Sequence, residues 1–226
     1  MRISTSASRM WCVCAAVSIV VGCSSSGSQL APAVSPYQQG SAAVVRGANG
    51  VAPDGIIYTP ANIKIQSSQY GLDLDNDGMP DFIISEHNWG SSCFPRSYGE
   101  LRAQPLSTAG LETDFGGYAL ALDSGSVISQ SAYFRNRKSL IQEVGEFWFY
   151  NQHRCIIGSA GDWLTPKVRL RTAYLGLAFP IRGTTHYGWA RLSVMMCSSG
   201  CRWLTATLTG YAYQTRAGVP IGAGKM

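Results

Sequence analysis

The chain has 226 residues, enough for one ordinary domain with extensions or for two very small domains. Only 14% of residues are charged and 46% are hydrophobic, which excludes global disorder and allows a sizeable core. The net charge of +5 falls to +3 once Arg2 and Arg9 are set aside with an export segment, and no dense Lys/Arg run is present; a nucleic-acid partner is not expected.

Arg2 and Arg9 form a positive n-region ahead of "WCVCAAVSIVV", residues 11–21. Eleven apolar residues are too few to span a bilayer but suit the h-region of an exported protein. The run ends in "VVGC" with a polar "SSSGSQ" behind it. That combination resembles the lipobox of bacterial lipoproteins, and the resemblance implies a signal peptide over residues 1–22 and a diacylglycerol thioether on Cys23. An ordinary secretory signal with a chance cysteine is the plainer alternative. By resemblance to known lipoprotein sorting, Ser24, where a retained lipoprotein carries Asp, favours the outer membrane or a surface-exposed location. Residues 23–54 are rich in Ser, Gly, Ala and Pro and poor in large apolar residues, which reads as a tether. About thirty flexible residues reach roughly 30 Å.

Residues 55–226 read as one domain. "NIKIQ" alternates with Ile63 and Ile65 on one face, and "DFIISEH" opens on an apolar, β-branched run. "EFWFY", "AYLGLAF", "THYGWARLSVMM" and "WLTATLTGYAYQT" follow, bounded by Gly, Pro or Ser. In the last of these, Leu204, Ala206, Leu208, Gly210 and Ala212 are expected on one face, and Trp203, Thr205, Thr207, Thr209 and Tyr211 on the other. Short helices are expected only over residues 98–106 and 135–143. The fold class predicted is all-β, an antiparallel β-sandwich, jelly-roll-like.

Between the first two strands lies "GLDLDNDGMPDF". Counted from Asp73, carboxylates fall at positions 1, 3, 5 and 9 (Asp73, Asp75, Asp77, Asp81), with Gly78 at 6 and the carbonyl of Met79 at 7. This is the spacing of an EF-hand-like calcium loop: a hard cation takes six to eight oxygens and neutralises clustered carboxylates. Position 12 is Ile84, not the bidentate Glu, and Pro80 with "FII" predicts a strand instead of an exiting helix. A structural calcium site in an extracellular module is therefore expected, its missing ligand supplied by Glu86, a distant Asp or water. A solvated acidic turn is the alternative.

Once Cys12 and Cys14 leave with the signal and Cys23 takes lipid, Cys93, Cys155, Cys197 and Cys201 remain. An even number in an oxidising compartment predicts two disulfides. The tight "CSSGC" segment favours Cys197–Cys201, leaving Cys93–Cys155. A four-Cys zinc site is weaker, with only one close pair at C-x₃-C.

Catalytic signatures are sparse. His87, His153 and His186 each sit in a strand-like or aromatic run, where packing or hydrogen bonding is the commoner role. No G-x-S-x-G elbow and no H-E-x-x-H is present. Glu143 and Glu146 flank aromatics and could form a glycosidase pair, but residues three apart in a strand face opposite sides unless a bulge at Gly145 re-aims one. The aromatics, above all Trp148, Trp189 and Trp203, suit a glycan or protein contact, with cross-strand packing as the alternative. Arg135, Arg137 and Lys138 form a small basic cluster, read as a solvated turn before a contact for acidic glycan or lipid headgroups.

"YLGLAF", "THYGWARL" and "TLTGYAYQTRAGVPIGAGK" in this order, with the D-x-D-x-D-G-x-x-D-F loop upstream, resemble a family of uncharacterised exported bacterial proteins with a β-rich C-terminal half. The resemblance spans roughly residues 55–225 and implies no activity. The reading favours an envelope binding or structural module held to the membrane by its N-terminal lipid, with glycan or envelope protein as partner. A carbohydrate-active enzyme using Glu143 or Glu146 is the alternative.

Overall fold

A computed structural model describes residues 54–65, 69–89, 96–149, 154–165, 167–196 and 204–226; residues 96, 97, 146–149 and 154–157 are described by their backbone alone. Two units separate, Met1–Val34 and Ser35–Met226, and all described residues lie in the second.

The described residues contain thirteen strands and no helix. They are β1 (Ile56–Ile65), β2 (Gln69–Leu72), β3 (Phe82–Trp89), β4 (Arg96–Pro105), β5 (Gly110–Glu112), β6 (Val127–Ile128) and β7 (Phe134–Arg135). The remainder are β8 (Ser139–Phe149), β9 (Arg154–Ala160), β10 (Leu170–Ile181), β11 (Thr184–Met196), β12 (Leu204–Gln214) and β13 (Ile221–Gly222). A six-stranded sheet runs β1-β12-β11-β10-β5-β7 and a five-stranded sheet β2-β3-β4-β8-β9, while β13 and β6 form a separate ribbon. All these pairings are antiparallel, and the fold is an all-β sandwich.

Neither expected helix forms. Residues 98–105 fall in β4 and Leu106 follows it; Leu101 and Ala103 are buried while Glu100 and Arg102 lie on the other face. That period-two burial, set between β3 and β8, overrides the helix-forming residues of "YGELRAQPL". Residues 135–143 divide between β7, a turn and the start of β8.

The longest hairpin is set by its turn. Ile181 pairs with Thr184, leaving only Arg182 and Gly183 in the loop, at φ 51° and 81°. Two successive positive φ values are the type I′ geometry that matches strand twist. Along β12 the alternation is broken. Leu208 pairs with Leu192 and Gly210 with Arg191, so Thr209 is an inserted residue. Its hydroxyl accepts from Arg191 Nε at 2.7 Å and donates to the Arg191 carbonyl at 3.2 Å. Leu204, Ala206 and Leu208 face the inter-sheet core, but beyond the bulge that face passes to Tyr211 and Tyr213. Ala212 joins a second cluster, which corrects the single unbroken face read from sequence.

The main core lies between the sheets: Leu72, Phe82, Ile84, Leu101 and Ile141 from one side, Leu175, Leu177, Leu192 and Leu208 from the other. The second cluster lies on the opposite face of the six-stranded sheet, where Ile128 and Ile221 of the ribbon cover Trp189, Tyr187 and Ala178. A buried polar knot ties the β9–β10 connection to β8: Gln142 Oε1 accepts from the Trp163 and Leu164 N–H groups at 3.1 and 2.8 Å, and Trp163 Nε1 donates to the Ala119 carbonyl at 3.1 Å.

Candidate metal centre

Leu72 pairs with Phe82, so residues 73–81 form the connection between β2 and β3. Leu74, wholly buried, pins the loop into the core. The base is closed by Asp81 N–H donating to the Leu72 carbonyl at 2.9 Å, and the Leu106 N–H donates to the Asp81 carbonyl at 2.8 Å. Asn76 and Gly78 take left-handed backbone (φ 58° and 95°), the conformation Asn and Gly accept most cheaply. The sharp turn that a glycine at position 6 allows is thus present.

This path gathers Asp73, Asp75 and Asp81, one carboxylate oxygen of each lying within 4.8 Å of the others. Calcium–oxygen bonds of 2.3–2.6 Å let two ligand oxygens stand up to roughly 5 Å apart, so the three could hold a metal ion. Asp73 Oδ2 accepts from the Gly78 N–H at 2.9 Å, and Asp81 Oδ2 from the Leu74 N–H at 2.9 Å. Asp77 is not drawn in: its Oδ1 accepts from the Met79 N–H at 2.8 Å in a local turn. The Met79 side chain is exposed.

The site is electrostatically frustrated. Burial pushes the Asp81 carboxyl up to about 7, helped by the charges of Asp75, Asp73 and Asp77 and opposed by the Leu74 N–H. Burial and the neighbouring Asp77 raise Asp75 in the same direction. A divalent cation would reverse both effects. The field reaches across the sandwich: burial first, then Asp75, Asp73 and Asp81, raises the Tyr213 phenol of β12, and burial with Tyr211 and Asp73 raises Tyr70 to about 12. The loop therefore stands against the six-stranded sheet, where Leu74 also approaches the backbone of Gly188. Tyr213 and Leu74 are the members of the site that sequence spacing does not indicate.

Other residues singled out from sequence are placed elsewhere. Glu86 is not among the gathered carboxylates. It is buried opposite Leu101, its Oε1 accepting from Asn88 Nδ2 and its Oε2 without a partner among the described residues. Trp189 is 1% exposed, so no ring face is open to a ligand. Trp163, Tyr187, Tyr211 and Tyr213 are buried as well, and the aromatic-packing alternative accounts for them. The described rings that do lie at the surface include Trp89 of β3, which pairs across to Tyr98 at 5.9 Å between centroids.

His186 is buried with both ring nitrogens engaged, Nδ1 with the Gln214 carbonyl at 2.9 Å and Nε2 with Thr184 Oγ1 at 3.2 Å. The register of β8 runs unbroken through Gly145 against both β4 and β9, so no bulge is there to bring Glu143 and Glu146 to one cleft. Cys23, Cys93, Cys197, Cys201, Trp203 and His153 lie outside the described residues; Trp148 and Cys155 are described by backbone alone, paired across β8 and β9.

Comparison with protein-family models, with curated proteins and with solved structures finds no match. The resemblance drawn from the loop and the C-terminal motifs thus rests on those motifs alone.

Proposed function

We propose that this is an exported, lipid-anchored protein of the bacterial envelope whose β-sandwich is braced by a structural calcium ion and acts as a binding or structural module. The observation that carries the proposal is the convergence of Asp73, Asp75 and Asp81 on a loop pinned by Leu74 against both sheets. Calcium is favoured over magnesium because the loop offers several protein oxygens at EF-hand-like spacing, whereas magnesium prefers to keep much of its water. Export supports the same reading, since extracellular sites bind in the ~10⁻⁴–10⁻³ M range, where calcium is plentiful. Cys23 carries the lipid, the remaining cysteines form Cys197–Cys201 and Cys93–Cys155, and the partner is envelope glycan or protein.

Isothermal titration of calcium into chelator-stripped protein tests the metal assignment. One site of roughly 10⁻⁴–10⁻³ M affinity is expected, lost in Asp73→Asn and Asp75→Asn. Equal heats in parent and variants would reject it. For the anchor, Cys23→Ser should move the protein from the membrane to the soluble fraction, and an unchanged membrane fraction would exclude attachment through that residue.

A further inference from the structure

Phe115 is 90% exposed, the most solvent-accessible large apolar side chain among the described residues. It does not sit on a loose segment. Asp114 N–H donates to the Tyr118 carbonyl at 3.0 Å, Gly117 N–H to the Asp114 carbonyl at 3.1 Å, and Tyr118 N–H to Asp114 Oδ1 at 2.8 Å. Arg135 Nη2 clamps the turn from β7 by donating to the Phe115 carbonyl at 2.7 Å. The Tyr133 ring, itself 48% exposed, stands 5.6 Å from that of Phe115, and the Arg135 guanidinium lies 5.4 Å from the Tyr133 centroid. Gly117, at φ 91°, leaves the room that the guanidinium occupies. Several interactions thus hold an apolar ring out in water. Arg137 and Lys138, both exposed, follow on the same segment.

We propose that this tip is a membrane-contact site, with Phe115 and Tyr133 entering the interface of an anionic bilayer and Arg137 and Lys138 meeting its headgroups. The shape decides between a bilayer and a protein. A protein hot spot is seated in a pocket within a wide dry patch, whereas here two exposed rings stand beside Arg135, with exposed Asn136, Arg137 and Lys138 following it in sequence. Aromatic rings beside basic residues are what the bilayer interface selects. The tip continues the β5–β7 pair past its strand ends, where the Thr113 N–H donates to the Tyr133 carbonyl at 3.0 Å.

The test uses the compact unit Ser35–Met226, which contains every buried residue described above and lacks both Cys23 and the apolar N-terminal stretch. Its outcome is therefore independent of lipidation. Co-sedimentation is measured with phosphatidylcholine vesicles, with and without phosphatidylglycerol. Binding is expected to the anionic vesicles, reduced about tenfold or more by Phe115→Ser and several-fold by Arg137→Glu with Lys138→Glu. Both variants alter exposed side chains, so parent-like melting temperatures should accompany the loss. Absence of binding to either vesicle, binding indifferent to Phe115→Ser, or equal binding to neutral and anionic vesicles would overturn the proposal.

Discussion

Trp189 and Glu86 are both interior residues, and their burial has opposite energetic sign. Trp189 packs on Tyr58 and edge-on to Tyr174, with centroids 5.8 and 5.2 Å away, and donates from Nε1 to the Lys225 carbonyl at 3.2 Å. Trp189→Ala should cost about 3–5 kcal/mol, measured as a fall in the urea midpoint; a change below about 1 kcal/mol would contradict its place in the second cluster. Glu86 is buried with one oxygen lacking a partner among the described residues, and burial lifts its carboxyl from 4.5 to about 7, against the Asn88 hydrogen bond. Between those values the folded protein holds a proton that the unfolded chain has released. Stability is therefore greatest below the unfolded value and falls as pH rises through about 7. Glu86→Gln should remove that slope, so its advantage over the parent grows from about pH 5 to about pH 8. Equal differences at the two pH values would contradict the assignment.

At the scale of elements, small backbone devices decide which side chains meet. The Thr209 bulge transfers the inner face of β12 from leucines to Tyr211 and Tyr213, and so places Tyr213 within the field of the acidic loop. Nothing in "TLTGY" announces this, because a bulge is specified by the partners on both sides and not by the strand itself. The helix expected over residues 98–106 fails for a related reason: weak local propensity yields to the burial of Leu101 and Ala103 between sheets. Gly188 offers a direct probe of the joint between loop and sheet. A Cβ there would stand 2.7 Å from the Ala212 carbonyl oxygen and 3.3 Å from Leu74 Cδ2. Gly188→Ala should cost about 1–3 kcal/mol through overpacking, read as a lower denaturant midpoint with an unchanged slope. Parent-like stability would mean that β11 and β12 separate there without penalty.

For the whole molecule, what was legible in the sequence is what is local. Period-two patterning, turn residues and the 1, 3, 5, 9 spacing of aspartates reveal a β protein with an acidic hairpin loop, because each is written within a dozen residues. Long-range facts are not written that way. Trp189 looks like a binding aromatic until Ile128 and Ile221, ninety-three residues apart in sequence, pair to form the ribbon that covers it. Asp77 looks equivalent to Asp75 until its carboxylate turns to the Met79 N–H. Phe115 carries no motif, and only a fixed turn makes its exposure meaningful.

In the function proposed above, calcium at Asp73, Asp75 and Asp81 braces the β2–β3 loop, whose Leu74 is packed into the core between the sheets. Differential scanning calorimetry in about 10–100 mM calcium and in EDTA, for the parent and for Asp75→Asn, is the decisive measurement. At a calcium concentration about a hundredfold above the dissociation constant, binding adds about 2.7 kcal/mol. For a domain of this size that is a rise of about 5–10 °C in Tm. The parent should show this rise and Asp75→Asn should lose it; the same Tm for the parent in calcium and in EDTA would rule out a stabilising calcium ion at this loop.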